Sequence, residues 1–147
     1  MYCYKYPHPA VTTDCIIFSL DGEEWKILLI KRKNEPFKDR WAFPGGFLNP
    51  EETADTGALR ELEEETGVKN ATIEQLHTYT NPHRDPRERV ITIAYVAIIK
   101  MQDVKANDDA KEANWFSINN LPPLAFDHEE IFKDALEWLK QKNINLI

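Results

Sequence analysis

At 147 residues, 42 % of them hydrophobic and including four Trp, five Tyr and seven Phe, the chain can bury a core of its own, which excludes a disordered chain. Its 25 acidic against 18 basic residues give a net charge of −7, which disfavours duplex DNA as a partner but not small anionic substrates that arrive with metal ions. Cys3 and Cys15 are too few for a disulfide scaffold and fit a reducing cytoplasm; no apolar run is long enough to span a membrane, and Met1–Pro9 lacks the layout of a signal peptide.

In chain order, Val11–Leu20 is rich in β-branched and aromatic residues and ends at Asp21-Gly22, a hairpin signal. Trp25–Arg32 then predicts a buried strand paired with the first. Lys33–Arg40 is charged, contains Pro36, and reads as a loop. Trp41–Phe43 is a short apolar piece stopped by Pro44-Gly45-Gly46, where two glycines allow a ligand or metal to approach the main chain. A helix is predicted over Thr53–Thr66, with acidic residues at its positive end and Gly67 as its C-cap. Ala71–Thr80 and Arg89–Met101 predict strands on either side of a polar loop. Gln102–Glu112 reads as loop, Ala113–Ser117 as a short strand, and Leu121-Pro-Pro as a turn. Asp127 is placed to cap a last helix, Glu129–Lys140, with a broad apolar face. No linker appears, so one α/β domain with a mixed sheet is expected over residues 1–147, residues 1–9 forming an N-terminal tail.

Chemistry concentrates between Gly46 and Val68, where seven of 23 residues are acidic and one is basic. On a helical wheel Glu61, Glu64 and Glu65 share one face, Glu63 points away, and Ala58, Leu59 and Leu62 form the packing face. Gly57 and Ala54 continue the acidic stripe with almost no side chain. Like charges at such spacing cost a helix roughly 0.2–0.5 kcal/mol per pair, so the cluster needs a reason. A solvated acidic face is the simplest reading of charge alone. Divalent metal is the alternative, since carboxylate oxygens suit Mg²⁺ or Mn²⁺ bridging to substrate phosphates. Arg60 can pair with a neighbouring carboxylate and orient it.

The spacing itself matches G-x5-E-x7-R-E-U-x-E-E-x-G-U, U being a bulky aliphatic residue, at Gly46, Glu52, Arg60, Glu61, Leu62, Glu64, Glu65, Gly67 and Val68. This is the Nudix box, and the chain resembles a Nudix hydrolase over nearly its whole length. The resemblance implies the Nudix fold, an α/β/α sandwich around a mixed sheet. It also implies hydrolysis of a nucleoside diphosphate linked to another group. Glu61, Glu64 and Glu65 would ligate Mg²⁺ (Mn²⁺ as the alternative), assisted by Glu52 and the Gly46 carbonyl. Such cations would neutralise charge gathering on the diphosphate oxygens.

Beyond the box, Asp85-Pro-Arg87-Glu-Arg89-Val90 and Leu124–His128 are similar to segments of ADP-ribose pyrophosphatase-type members and of Nudix domains in regulators of NAD metabolism. Arg84, Arg87 and Arg89 are candidates to clamp a phosphate bidentately; a solvated loop balanced by Asp85 and Glu88 is the other reading. Trp41, Phe43 and Tyr95 are aromatics that could stack on a nucleobase or simply pack the core. The family draws a general base or further ligand from the loop before the last strand, where Asp109 and Glu112 are candidates. His83 and His128 are read as turn and cap residues. ADP-ribose, cleaved to AMP and ribose 5-phosphate, is the expected substrate; a modified nucleoside triphosphate and a ligand-sensing role are the alternatives. Regulators with this loop carry a C-terminal winged helix, which is not expected in a chain ending about one helix after the core. No nucleic acid or membrane partner is expected, and a homodimer involving Tyr2, Tyr4 and Tyr6 is compatible with the sequence.

Overall fold

The first strand, β1 (Ala10–Asp21), is buried from Thr13 through Ser19, on both faces of the sheet. Its side chains alternate between two cores, because successive residues of a strand point to opposite sides. Ile16 and Phe18 join one core with Ile27 and Leu29, whereas Cys15 and Ile17 join the other with Leu28. Such a strand needs a helix on each side, and the chain supplies two, α1 (Ala54–Thr66) and α2 (His128–Asn145). Ala58 and Leu62 of α1 seal the Cys15 side; Ile131, Ala135 and Leu139 of α2 seal the Ile16 side. The expected α/β/α sandwich follows from this alternation. The structure, a computed structural model, describes residues 1–107 and 110–145.

The remaining strands are β2 (Glu24–Arg32), β3 (Trp41–Ala42), β4 (Gly45–Phe47), β5 (Glu74–Tyr79), β6 (Val90–Ile98) and β7 (Ala110–Ser117). The sheet runs β3-β2-β1-β6-β5, with β4 paired to β1 and β7 paired to β2. The β1–β6 pair is parallel and the other pairs are antiparallel, so the sheet is mixed as expected.

Four local expectations are corrected. The Gly45-Gly46 segment does not merely stop the preceding apolar piece: it forms β4 against Thr12–Asp14. A Cβ on Gly45 would come 1.9 Å from the Thr13 carbonyl oxygen, so a larger residue would displace this pairing. The strand β7 begins at Ala110 rather than Ala113, because Ala110, Glu112 and Ala113 find partners on Arg32, Lys31 and Ile30. The helix α2 runs from His128 to Asn145, beyond the predicted Glu129–Lys140. Asp127 does not cap it through its side chain: that carboxylate is held by Arg84, and the Asp127 backbone carbonyl accepts from the Glu130 and Ile131 N–H groups instead. No helix among the described residues is long and apolar enough to cross a membrane.

The box segment folds as predicted. Thr53 Oγ1 accepts from the Thr56 N–H at 3.3 Å, and Gly67, at φ +80°, closes the helix by donating to the Glu63 carbonyl at 2.8 Å. Through β4 the chain then lays Gly46 against the acidic face of α1.

Candidate active site

Where β4, the start of β1, the end of β2, α1 and the loops at 81–89 and 124–128 meet, they enclose a cavity of about 470 Å³. One wall is acidic, formed by Glu61, Glu65 and Asp14; the other carries Arg32, Lys33, Arg84 and Arg87.

The acidic wall is organised by Arg60. Its guanidinium donates to Glu52 at 2.6 and 3.0 Å, to Glu61 at 2.9 Å and to Glu64 at 3.2 Å. One fixed cation thereby offsets the like-charge repulsion among three carboxylates. Glu65 is buried and accepts from the Gly45 N–H at 2.7 Å. A Cβ on Gly46 would lie 2.8 Å from Glu61 Cδ, so only glycine leaves this backbone flush with the carboxylate. Glu63 points away, half exposed, 3.7 Å from Lys69.

These groups fit a hard divalent cation. The donors are all oxygen: the carboxylates of Glu61, Glu64 and Glu65 and the carbonyl of Gly46. Among the described residues no three of them yet converge as a ligand set, and Arg60 holds both Glu61 and Glu64. Binding would draw those carboxylates partly off the guanidinium.

Arg60 also sets an acid limit on the helix. Its hydrogen bonds, with the Asn49 N–H second, hold the Glu52 carboxyl down from 4.5 to about 2. A depressed pKa contributes stability above the unfolded value that is lost as pH falls toward the folded one. The Tm advantage over Glu52→Gln is therefore expected to shrink as pH drops from 4.5 toward 2, followed by thermal melts across that range; a constant difference would mean the ion pair does not form.

The arginine loop divides in a way its sequence does not show. Arg84 is 4 % exposed at its side chain and makes a two-pronged pair with Asp127 at 2.7 and 2.9 Å. Its charge is already matched, so it braces the loop against α2. Arg89 lies outside the cavity lining and donates to the Thr80 carbonyl at 3.3 Å. Arg87 projects into the cavity, held by Asp85 at 2.7 and 3.0 Å, with Phe47 and Phe126 at 5.2 and 5.6 Å from its guanidinium. Burial pushes the Asp85 carboxyl up, but the side-chain and backbone hydrogen bonds from Arg87 outweigh it and hold it below its ordinary value.

Other candidates fall away from the cavity. Tyr95 is buried under α1, its hydroxyl donating to Asp55 at 2.7 Å. Glu112 sits exposed on β7, 3.4 Å from Lys31, and does not line the cavity. Asp109 lies outside the described residues. Phe43 does line the cavity, but it is 2 % exposed and stacks on the His128 ring at 4.9 Å. Trp41 packs edge-on against Phe116.

Three cavity residues escape a reading of the sequence. Asp14 is a buried carboxylate that accepts from Thr92 Oγ1 at 2.6 Å and lies 3.6 Å from His128 Nε2. His128 is buried too; its Nδ1 accepts from the Phe43 N–H at 3.1 Å, which leaves the proton on Nε2 facing Asp14. Burial lowers the His128 pKa although Asp14 opposes it, so the ring is neutral at pH 7. Arg32 donates its Nε–H to the Pro36 carbonyl at 2.7 Å and lies over Phe126 at 4.8 Å. Burial, and next the like charge of Arg87, lower its pKa. The signal for Asp14 was a carboxylate inside an otherwise apolar strand, and for Arg32 a cation closing one.

Comparison with known proteins agrees with this geometry. The NUDIX domain family matches residues 8–139. The chain is 50 % identical over 133 residues to an ADP-ribose pyrophosphatase of Methanocaldococcus jannaschii, an alignment covering 90 % of this chain and 76 % of that one. It is 35 % identical to the ADPR responsive transcriptional repressor NtrR of Acinetobacter baylyi, over 93 % of this chain and 57 % of the repressor, so it spans little more than half of that protein. Among solved structures, the Nudix domain of Shewanella oneidensis NrtR complexed with ADP ribose superposes with a TM-score of 0.87 at 32 % identity, covering 91 % of this chain and 90 % of that one. With the box on α1, the α/β/α sandwich around it and these matches all in agreement, the chain belongs to the Nudix family.

Proposed function

We propose that the protein hydrolyses the diphosphate of ADP-ribose, giving AMP and ribose 5-phosphate, with Mg²⁺ or Mn²⁺ as its cation. The observation that carries this reading is the two-sided cavity. Its acidic wall can hold divalent cations, and its guanidinium wall, Arg32 and Arg87, faces it across a space lined by phenylalanines. A diphosphate carrying cations is complementary to both walls at once. The relative sharing half its residues with this chain is an ADP-ribose pyrophosphatase, which supports the choice of substrate.

Glu61, Glu64, Glu65 and the Gly46 carbonyl would hold the cations, whose chemistry is to offset the charge that grows on the diphosphate oxygens as the bond breaks. Arg60 keeps the carboxylates aligned while the site is empty. Arg87, steadied by Asp85, presents a planar fork suited to a phosphate oxygen pair. Arg32 supplies a second positive group from the end of β2. The neutral His128, tied to the Phe43 N–H and facing Asp14, closes the floor of the cavity.

The test is a substrate panel resolved by product: ADP-ribose, NADH, a dinucleoside polyphosphate and an oxidised nucleoside triphosphate. ADP-ribose is expected to be turned over best. Chelation with EDTA is expected to abolish turnover, and added Mg²⁺ to restore it. A preference for the triphosphate would overturn the substrate choice. ADP-ribose binding without hydrolysis would favour a sensing role, the reading suggested by the likeness to NtrR.

A further inference from the structure

Beside the charged cavity lies a shallower cleft of different character, lined by Glu35, Pro36, Phe37, Pro86 and Arg87. Glu35 and Arg87 line both spaces, so one opens into the other. Two prolines offer no N–H, and Phe37 and the Arg87 guanidinium offer flat faces. Such a surface suits a planar, weakly hydrated group better than a phosphate or a sugar.

The loop that builds the cleft is firmly held. Arg32 grips the Pro36 carbonyl at 2.7 Å, and Lys38 N–H donates to Glu35 Oε1 at 3.0 Å. Phe37 sits at φ +60°, a region bulky residues rarely adopt, and its ring meets Phe126 at 4.9 Å. Phe126 has the same unusual backbone, at φ +51°. Two left-handed phenylalanines packed together at the mouth of a charged cavity indicate a placement set by a ligand's shape. The aromatics suggested by the sequence are engaged elsewhere: Phe43 on His128, Trp41 on Phe116, and Tyr95 beneath α1. Phe47 is the other accessible ring at the site, but it follows Gly46 directly and stands on the cation side of Arg87.

We propose that this cleft is the nucleobase subsite: the purine of a nucleoside diphosphate substrate stacks on Phe37 and the Arg87 guanidinium while its diphosphate occupies the charged cavity. The assignment rests on the function proposed above and adds an orientation to it. The nucleoside end points toward the 33–40 loop, and the second sugar lies toward the opposite end of the cavity. Arg87, at the junction, contacts both base and phosphate. Two of its N–H groups are committed to Asp85, so its plane cannot turn away.

The experiment compares two substrates in the presence of Mg²⁺: ADP-ribose, and a base-free analogue in which two ribose 5-phosphates share the same diphosphate. Phe37→Leu keeps an apolar contact with Phe126 but removes the flat face. It is expected to raise KM for ADP-ribose about tenfold, a typical loss for one base–aromatic stack, with kcat little changed and the base-free analogue unaffected. Because both substrates meet the same folded fraction, their ratio is blind to any loss of stability. Equal effects on the two substrates, or none on either, would overturn the subsite. So would a base-dependent loss that follows Phe47→Leu instead. If the wild-type chain hydrolyses neither diphosphate, the proposed function fails, and calorimetric titration of AMP still judges the cleft. About tenfold weaker AMP binding by Phe37→Leu upholds it, and equal binding removes it.

Discussion

Glu61→Gln is expected to lower kcat for ADP-ribose by at least about 10²-fold, while Glu63→Gln, two residues along the same helix, leaves it within about twofold. The substitutions are chemically identical and remove one negative charge each. They differ in where α1 points them. Glu61 lines the cavity, lies against the Gly46 backbone and is held by Arg60. Glu63 is half exposed and meets only Lys69 at 3.7 Å, a surface pair that contributes little. Neither change creates a void, since Gln has the shape of Glu, so melting temperatures should stay close to that of the parent. Steady-state kinetics at saturating Mg²⁺, with circular dichroism as the folding control, decide the matter. Full activity in Glu61→Gln would remove the acidic face of α1 from the chemistry altogether.

The second large effect falls on stability. Arg84→Ala is expected to destabilise the fold by about 3 kcal/mol, because the Asp127 carboxylate, 15 % exposed at its side chain, would lose the partner that neutralises it. For a domain of this size the shift in Tm is about 10 °C. Once the folded fraction is accounted for, KM should change little. Arg87→Ala is expected to do the reverse: its guanidinium reaches into the cavity and is 38 % exposed, so its loss should raise KM about tenfold with a much smaller change in Tm. If Arg84→Ala instead raised KM and left Tm alone, the clamp would be Arg84 and the bracing role wrong. Calorimetry or thermal melts, run beside kinetics on both variants, separate the two cases.

That contrast shows where reading the chain reached its limit. Arg84, Arg87 and Arg89 occupy six consecutive positions and are the same residue type, so as sequence they are interchangeable. In the fold each meets a different neighbour: Asp127 from the start of α2, Asp85 beside a pair of phenylalanines, and the Thr80 carbonyl. The separation in sequence between Arg84 and Asp127, 43 residues, carries no signal that they meet. The same holds for Asp14, Thr92 and His128, three buried polar residues from three distant segments that find one another only when β1, β6 and α2 are assembled. Read one at a time, His128 resembles a cap residue and Asp14 a stray charge.

The local elements were far more legible. The Nudix box specifies a helix by its own physics: a Thr cap, acidic residues at the positive end, a glycine able to adopt φ +80° at the other, and Leu62 with Ala58 at the spacing of one packing face. Those are near-neighbour effects, and they determined the helix, the side that carries Glu61, Glu64 and Glu65, and the outward turn of Glu63. The apolar runs of β1 and β2 likewise determined a sheet covered on both faces. Tertiary structure decided what lies opposite the carboxylates: that Gly45-Gly46 is a strand against β1, that Arg32 and Arg87 form the facing wall, and that Phe37 and Phe126 stand at its mouth. The physical reason is range. Capping, helical periodicity and strand alternation act within a few residues and are written in the order of the chain. Charge complementarity across a cavity acts between residues that only the packed sheet brings within reach of one another.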